Sequence, residues 1–254
     1  MDWNALTLFL MITGRMTGLV VFNPLFGRRG IPGLVKAGFI LLLSVGVFAM
    51  TPVRFETPAT VLGLAFTFLM ELLLGYVLGL VVNIFFYIPV MAGSVIDTQM
   101  GLSMASTYDP ASGIQTTATS SFLNVLMSLL FFAANGHHTL LRIFVNSGRV
   151  VPFGAVALGD NFYAAMIQIF LDCTLLGVKL AMPTLAAELM GQVGMGILMK
   201  AIPQINVFAI NIELKVIVGL VMLLILMVPI SDYLLKAETE MLLAVQRMLP
   251  LMSG

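Results

Sequence analysis

Long apolar runs separated by short polar links cover most of the 254-residue sequence. In a helix, about 20 apolar residues cross the ~30 Å hydrocarbon core of a bilayer, so several runs are long enough to span a membrane. The pattern predicts an all-α integral membrane-type protein of long, kinked and broken helices arranged in hairpins. The apolar runs cover residues 5–22, 35–50, 59–91, 122–134, 140–151, 162–182 and 185–199, and a last one begins at residue 216.

A polar insertion interrupts this pattern between residues 93 and 121, and the next helix is predicted to begin at about Phe122. The insertion is rich in Ser, Thr and Gly and contains two acids, Asp97 and Asp109, but no base. Unsatisfied polar groups cost several kcal/mol each at membrane depth, so the insertion must leave the hydrocarbon, be buried in protein or line a wet passage. A second irregular patch, residues 200–215, contains a proline and two asparagines between apolar runs.

Prolines predict where the helices bend or stop. The run 59–91 is longer than one crossing needs and contains Pro89, so it forms either one strongly tilted helix or two segments. Pro183 is predicted to start a new segment. Pro229 is predicted to kink the last helix, which becomes amphipathic after Asp232, with Glu238, Glu240 and Arg247 on its polar side. This last part is expected to project into water.

Ionisable side chains lie inside or beside the apolar runs. A charge near a helix centre costs about 2.5–3.5 kcal/mol on insertion scales, so these groups should face protein or water rather than lipid. Those predicted to be buried or to contact partner subunits are Arg15, Glu71, Asp97, Asp172 and Lys179. Glycines at small-xxx-small spacing allow helices to approach closely. The glycines predicted to pack helices together are Gly14, Gly18, Gly75 and Gly79.

Composition narrows the functional class. Only 9% of the residues are charged, the net charge is zero and the mean hydropathy is +1.07, which indicates a membrane protein without a basic face for nucleic acid. The single cysteine, Cys173, excludes an intrachain disulfide. The first run contains Arg15 and lacks a basic leader, which favours a retained membrane segment over a signal peptide. Three bases between residues 23 and 36 predict a cytoplasmic loop.

Catalytic chemistry is not indicated. His137 and His138 are adjacent, and neighbours on a helix point about 100° apart, which argues against a shared metal ion. Gly101 lies between Asp97 and Asp109, and Pro110 follows Asp109, so the two carboxylates have no fixed geometry. No phosphate-binding glycine loop is present in the sequence. We therefore predict a protein that is not an enzyme, with no metal and no cofactor.

Short motifs in a fixed order cover nearly the whole chain. Together they resemble the FliR family of bacterial flagellar export-gate proteins, whose counterparts in virulence secretion form the SctT group. In chain order the motifs are Arg15 in the first helix, Asn23-Pro24-Leu25-Phe26, Ile31-Pro32 with Lys36, Glu71 with Gly75, Gly93-xxx-Asp97-xxx-Gly101, Asp109-Pro110, Asn135-Gly136-His137-His138, Gly191, and Pro203-Gln204-Ile205-Asn206-Val207-Phe208 with Lys215 and Gly219.

This resemblance implies a subunit of a helical hetero-oligomeric export gate in the bacterial inner membrane, at the flagellar basal body. It implies FliP and FliQ as neighbours in the pore, FlhB as a contact and unfolded flagellar proteins as clients. Residues 1–149 would be a FliP-like part, and 150–254 a FliQ-like hairpin with an amphipathic C-terminal helix. Much of such a subunit is raised out of the bilayer plane.

The resemblance also assigns two sets of site residues. One set lies in the polar segment Ser106 to Ser121, which would form a plug inside the pore, and comprises Ser106, Thr107, Tyr108, Asp109, Pro110, Gly113, Ile114, Gln115 and Thr116. The other forms the turn of the hairpin and comprises Pro203, Gln204, Asn206, Phe208 and Lys215.

Three alternatives stay open. The first is an export-gate subunit of the injectisome branch, although the Pro203–Phe208 and Asn135–His138 blocks favour the flagellar branch. The second is a secondary transporter of a small solute, with its site at the two irregular patches, although the halves show no convincing repeat. The third is a purely structural scaffold.

Overall fold

Helices dominate the computed structural model, which describes residues 3–28, 30–52, 58, 60–102, 117–201 and 207–253. Four helices in these ranges are long and apolar enough to cross a membrane, or up to six segments if each bent pair is one span. The predicted all-α membrane-type fold is confirmed. The helices are α1 (Trp3–Val21), α2 (Gly33–Met50), α3 (Val61–Met100), α4 (Ala118–Ala133), α5 (Gly136–Val150), α6 (Phe162–Ala201), α7 (Val207–Ile225) and α8 (Met227–Met248), followed by a short 3₁₀ helix, Pro250–Met252.

Two helices, α3 and α6, are each 40 residues long and contain an internal proline. The structure decides between the two alternatives for α3, which is one helix that passes Pro89 and includes Asp97 in its last turn. The predicted restart after Pro183 is wrong, because α6 continues through it to Ala201. A proline removes one backbone hydrogen bond at a cost of about 3 kcal/mol, and the apolar helical residues on both sides preserve the rest of the ladder.

Two consecutive helix pairs are each interrupted by a short break. Between α4 and α5 the helix is broken at Asn135, which adopts a left-handed conformation with φ of 58°. α7 and α8 meet at 63° around Leu226. The predicted kink at Pro229 thus appears three residues earlier. Pro229 lacks the N–H that would bond to the carbonyl of Ile225, which is the last residue of α7.

The chain forms two compact units, each built from separated segments. Unit 1 contains residues 1–85, 135–171 and 238–254, and unit 2 contains residues 86–134 and 172–237. The boundary at residue 85 falls at the turn that Pro89 weakens, because Phe85 would be its hydrogen-bond acceptor. The predicted division at residue 149 stays a prediction, since these units group spatial neighbours rather than successive parts of the chain.

Unit 1 has a core of aliphatic, methionine and aromatic side chains. α1 packs against α2, and the rings of Phe9 and Phe48 meet edge to face with centroids 5.8 Å apart. α2 also contacts α5. The fully buried core side chains of this unit include Met11, Ile12, Met16, Leu19, Leu74, Leu78 and Phe144.

The C-terminal segment belongs to this core, and the expectation that it projects into water is wrong. Glu238, predicted to lie on a polar side, is buried, and Met241 and Val245 in the same helix are buried with it. Beyond α8 the backbone pairs with the loop after α5, where the N–H of Gly159 donates to the carbonyl of Leu251 over 3.0 Å. The apolar side of an amphipathic helix is here covered by protein.

Unit 2 is built around residues 86–100 of α3. Ile96 and Met100 of this stretch are fully buried. Gly177 of α6 packs beside Met91, and a Cβ built at Gly177 would lie 3.2 Å from its sulfur. Gly219 of α7 receives the side chain of Met100, whose sulfur would lie 2.6 Å from a Cβ at that position. Gly177 and Gly219 therefore leave the space that the side chains of Met91 and Met100 occupy.

In unit 1, α1 and α3 cross at glycine. A Cβ built on Gly18 would lie 2.5 Å from the carbonyl oxygen of Leu72, and one on Gly75 would lie 2.9 Å from Cα of Gly18. Real Cβ atoms do not approach backbone this closely, so only glycine permits the crossing. The other two predicted packing glycines lie along the same pair of helices.

These flanking contacts show the direction of the pair. Gly14 faces the ring of Phe68, 2.7 Å from its would-be Cβ, and Gly79 faces the backbone of Phe22, 3.1 Å away. The contacting residue numbers rise together in both helices, so α1 and α3 run parallel. Close backbone approach is the geometry that small-xxx-small spacing produces.

We predict that Gly18→Ala destabilises the fold, because its methyl group meets backbone atoms that cannot move aside. The midpoint of thermal unfolding in detergent, followed by circular dichroism, should fall by about 5 °C or more. The matched control is Gly46→Ala in α2, where a Cβ meets nothing within 4 Å and alanine is the better helix former. Equal shifts in the two variants would contradict the glycine crossing.

Candidate functional site: a buried ion pair and the joint between α3 and α4

An ion pair lies at the α1–α3 crossing, where neither side chain reaches solvent. Arg15 of α1 and Glu71 of α3 are both fully buried. The arginine Nε lies 2.6 Å from Glu71 Oε2, and its Nη2 donates to Oε1 over 3.0 Å. This two-point contact matches the planar guanidinium fork to the carboxylate and fixes the orientation of both groups.

The remaining hydrogen-bonding groups of the pair are satisfied by the end of α5 and the loop after it. Arg15 Nη1 donates to Ser147 Oγ over 3.3 Å and to the carbonyl of Val151 over 2.9 Å. The Oε1 atom of Glu71 also accepts the N–H of Gly154 over 2.7 Å. Gly154 has a φ of 84°, a left-handed conformation that glycine adopts without strain.

An aromatic ring covers the guanidinium group. Its carbon Cζ lies 4.2 Å from the ring centroid of Phe153, which is a cation–π geometry. The same ring fills the space beside Gly148, and a Cβ there would lie 2.8 Å from Phe153 Cζ. The pair therefore connects α1, α3 and α5 in a dry environment, where losing either partner leaves the other charge uncompensated.

A second buried acid, Asp97, joins α3 to α4 in unit 2. Its Oδ2 accepts the backbone N–H of Thr119 over 2.8 Å, and its Oδ1 accepts the hydroxyl of the same threonine. About two turns earlier in α3, the carbonyl of Val90 accepts the hydroxyl of the next residue of α4, Ser120, over 2.8 Å. The predicted start of this helix at Phe122 is therefore wrong, because these contacts support a helix that begins at Ala118.

The other predicted site residues are placed as follows. Asp172 and Lys179 are exposed on α6, so their predicted contacts with partner subunits stay a prediction. The named plug residues, Ser106 to Thr116, lie outside the described residues, as do Pro203, Gln204 and Asn206. The predicted end of the plug segment at Ser121 is wrong, because residues 118–121 form the first turn of α4. Phe208 lies in the first turn of α7, and Lys215 is half-buried further along the same helix.

Several polar groups of these networks were not identified from the sequence. Ser147, Phe153 and Gly154 are ordinary loop or helix residues in the sequence, and no local signal connects them to Arg15. Glu188 had a usable signal, because it is an acid inside an apolar run, and it is buried on α6. Its Oε1 and the hydroxyl of Thr184, one turn earlier, have no hydrogen-bond partner among the described residues.

Metal-ligating residues do not cluster in the part of the chain that the structure describes, where no group of three His, Cys, Asp or Glu side chains can hold a metal. The rings of His137 and His138 lie next to each other, with centroids 4.1 Å apart and a tilt of 47° between their planes. Cys173 is buried and free.

Comparison with known proteins identifies the family. Residues 6–241 match the model of the family described as bacterial export proteins, family 1. The chain belongs to this family. Three relatives carry the name flagellar biosynthetic protein FliR, and the predicted membership of the FliR family is confirmed. FliR of Bacillus subtilis is 30% identical over 86% of this chain and 85% of its own. FliR of Escherichia coli is 27% identical over 93% of this chain and 92% of its own. FliR of Aquifex aeolicus is 28% identical over 83% of this chain and 81% of its own.

Family membership and fold agree on the broad class of the molecule. This family 1 export protein has apolar helices suited to a membrane, and its relatives are named for flagellar biosynthesis. It is therefore a membrane-associated component of flagellar export.

We predict that Glu71→Ala destabilises this export protein by about 3–5 kcal/mol, because it leaves the buried guanidinium without its counter-charge. For a chain of this length that corresponds to a drop of roughly 6–20 °C in the unfolding midpoint. The double variant Arg15→Met/Glu71→Leu removes both charges at similar volume and should lose much less. Ser147→Ala, which removes only the longest hydrogen bond, is the mild control. A double variant as unstable as Glu71→Ala would contradict an energetic coupling of the pair.

Proposed function

We propose that the chain is a non-catalytic subunit of the flagellar type III protein export gate, and that it forms the pore with FliP and FliQ and contributes a plug to it. The family match over residues 6–241 carries this proposal. It extends over nearly the whole chain, so the likeness concerns the complete arrangement of helices rather than one shared motif. Unfolded flagellar proteins are the clients in this proposal, and the bacterial inner membrane at the flagellar basal body is its location.

Exposed apolar helix faces support an assembly with other subunits. In unit 1, Leu41, Leu42 and Val45 of α2 are all more than half exposed. Large apolar surfaces of this kind are covered by lipid or by other protein. The surface of α2 alone does not distinguish between these two coverings.

The exposed part of α6 in unit 2 favours protein as the covering. Asp172 and Lys179 are exposed there, and Leu175 between them is 52% exposed. Ionisable groups at such positions are costly against lipid and tolerated against protein or water. We assign helices of FliP and FliQ as neighbours of these faces and FlhB as a further contact, in accordance with the family resemblance.

The polar residues 106–116 are assigned as the plug. Hydroxyl, amide and glycine chemistry suits a segment that bonds to itself when the gate is closed and rearranges when a polypeptide enters. The insertion could leave the hydrocarbon, be buried in protein or line a wet passage. Of these three environments, only a wet passage also gives the insertion a function, which is to close the passage.

The alternatives have less support. All three relatives described above are flagellar by name, which favours the flagellar branch over the injectisome branch. A secondary transporter requires a site of its own within this chain, and the sequence lacks the internal repeat that accompanies such sites.

The proposal predicts that the tagged chain, produced together with FliP and FliQ of the same bacterium, is purified in one complex. Its mass, measured in detergent by native mass spectrometry, should be several times the 27.4 kDa of this chain. We expect this outcome because the exposed apolar faces of this chain pack against helices of partner subunits. A chain that purifies alone and moves a small solute in liposomes would instead support the transporter hypothesis.

We also predict that replacing residues 106–116 by a Gly/Ser segment of equal length raises ion leakage through the assembled gate several-fold. The reason is that a flexible segment lacks the contacts that would hold a closed conformation. Leakage is measured in liposomes that contain the purified complex. A Gly/Ser replacement of residues 54–58, a polar link between the second and third apolar runs, is the control and should leave leakage unchanged. Equal leakage from the native and replaced 106–116 complexes removes the plug assignment.

A further inference from the structure

We propose that Asp97 is a positioning residue whose side chain fixes where α4 begins relative to the end of α3. The proposal stands on hydrogen bonds within unit 2. Only its consequence rests on the proposed function, in which the connection between these helices carries the plug. By fixing the start of α4 against the last turn of α3, this side chain would set the positions of the two helix ends that the plug joins.

α3 ends at Met100, and the backbone carbonyl of Asp97 accepts one of the hydrogen bonds that cap this end. The N–H of Leu102 donates to the carbonyl of Asp97 over 3.0 Å, and the N–H of Gly101 donates to the carbonyl of Thr98 over 3.2 Å. Gly101 has a φ of 79°. This pair of bonds around a left-handed glycine is the Schellman arrangement, which ends a helix and satisfies its last carbonyl groups.

The side chain of Asp97 starts α4. Thr117, at the position before the helix, makes no side-chain capping bond to the backbone, and its hydroxyl pairs with Ser120 Oγ at 2.8 Å instead. The N–H of Thr119 is one of the first-turn donors that a helix cannot satisfy internally, and Asp97 accepts it. A carboxylate at this end is also stabilised by the positive end of the helix dipole. The cap of α4 therefore comes from α3.

Close packing on two sides holds Asp97 at this joint. A Cβ at Gly93, one turn before it, would lie 2.7 Å from the carbonyl carbon of Thr119 and closer still to the backbone of Ser120. On another side of the same helix, the side chain of Met100 packs against Gly219 of α7. Residues 93–100 are therefore held against both α4 and α7, and Asp97 has little freedom to move.

The presence of an acid at position 97 is explained by the bonds that its carboxylate makes to α4. Asp97 is fully buried, and burying a carboxylate costs free energy that two well-packed apolar residues would not require. What a carboxylate adds is two acceptor atoms in a fixed plane, and both are directed at the same residue, Thr119. A sliding displacement of one helix along the other would break both bonds together, so the pair specifies the register of α3 against α4.

Hydrogen exchange of the full-length protein in detergent tests the geometry directly. Thr119 N–H has Asp97 as its acceptor, so the peptide that covers residues 117–122 should exchange about tenfold or more faster in Asp97→Ala. Asp97→Asn keeps one acceptor oxygen and should be intermediate. Thr119→Ser keeps both donors to Asp97, the backbone N–H and the hydroxyl, so this variant should exchange as slowly as the native protein. Thr98→Val is the matched control, because that exposed hydroxyl bonds only within its own helix.

Leakage and assembly of the gate with FliP and FliQ are measured on the same variants. Unchanged exchange in Asp97→Ala and Asp97→Asn overturns the positioning role. Faster exchange together with normal assembly and raised leakage supports it in full. Faster exchange with a proportional loss of assembled complex also overturns it, because Asp97 would then serve stability alone. If exchange responds as expected but replacement of residues 106–116 leaves leakage unchanged, the positioning of the two helix ends stands and the proposed plug fails.

Discussion

The arrangement of helices in unit 1 is constrained by one arginine whose charge must be satisfied inside an apolar interior. Arg15 solves this by combining a two-point contact to Glu71 with bonds to Ser147 and to the carbonyl of Val151. Each partner lies on a different element, so the charge can be satisfied only when α1, α3 and the end of α5 are in their final positions. The glycine crossing lies beside the pair and brings the backbones of α1 and α3 into close contact at the same level of the two helices.

Unit 2 applies the same physical rule with a single acid. Asp97 has no cation at its carboxylate in the described contacts, and it is satisfied by an N–H and a hydroxyl at the start of α4. In both units, buried polar groups therefore connect helices to one another. The surfaces of α2 and α6, in contrast, expose large apolar side chains. A chain with charges inside and apolar groups outside requires a membrane or sister subunits around it.

Helix content was predictable from the sequence because each apolar run is long and the breaks are marked by proline, glycine and asparagine. The need to shield Arg15 and Glu71 from lipid was also predictable, since it follows from their position in apolar runs. Their partners were not, because Ser147 and Val151 are more than 130 residues away in the sequence from Arg15 and carry no local signal. That information exists only in the tertiary arrangement.

The wrong predictions have a related cause. Pro183 was predicted to restart a helix from its intrinsic effect on the backbone, yet the surrounding apolar turns of α6 tolerate the loss of one hydrogen bond. The start of α4 was placed at Phe122 because Ser and Thr precede it. Those residues are helical because Asp97 supplies an acceptor from another helix. In each case a contact or a neighbouring turn overrides a local preference.

The central claim is that this chain helps to build a conduit for unfolded polypeptide. A photo-crosslinking amino acid at Gly113, in cells in which an exported flagellar protein is stalled during secretion, tests it most directly. The account predicts a crosslink to the stalled protein from position 113 and none from Leu42, on the exposed apolar face of α2. Crosslinks from neither position, or from Leu42 alone, would contradict it.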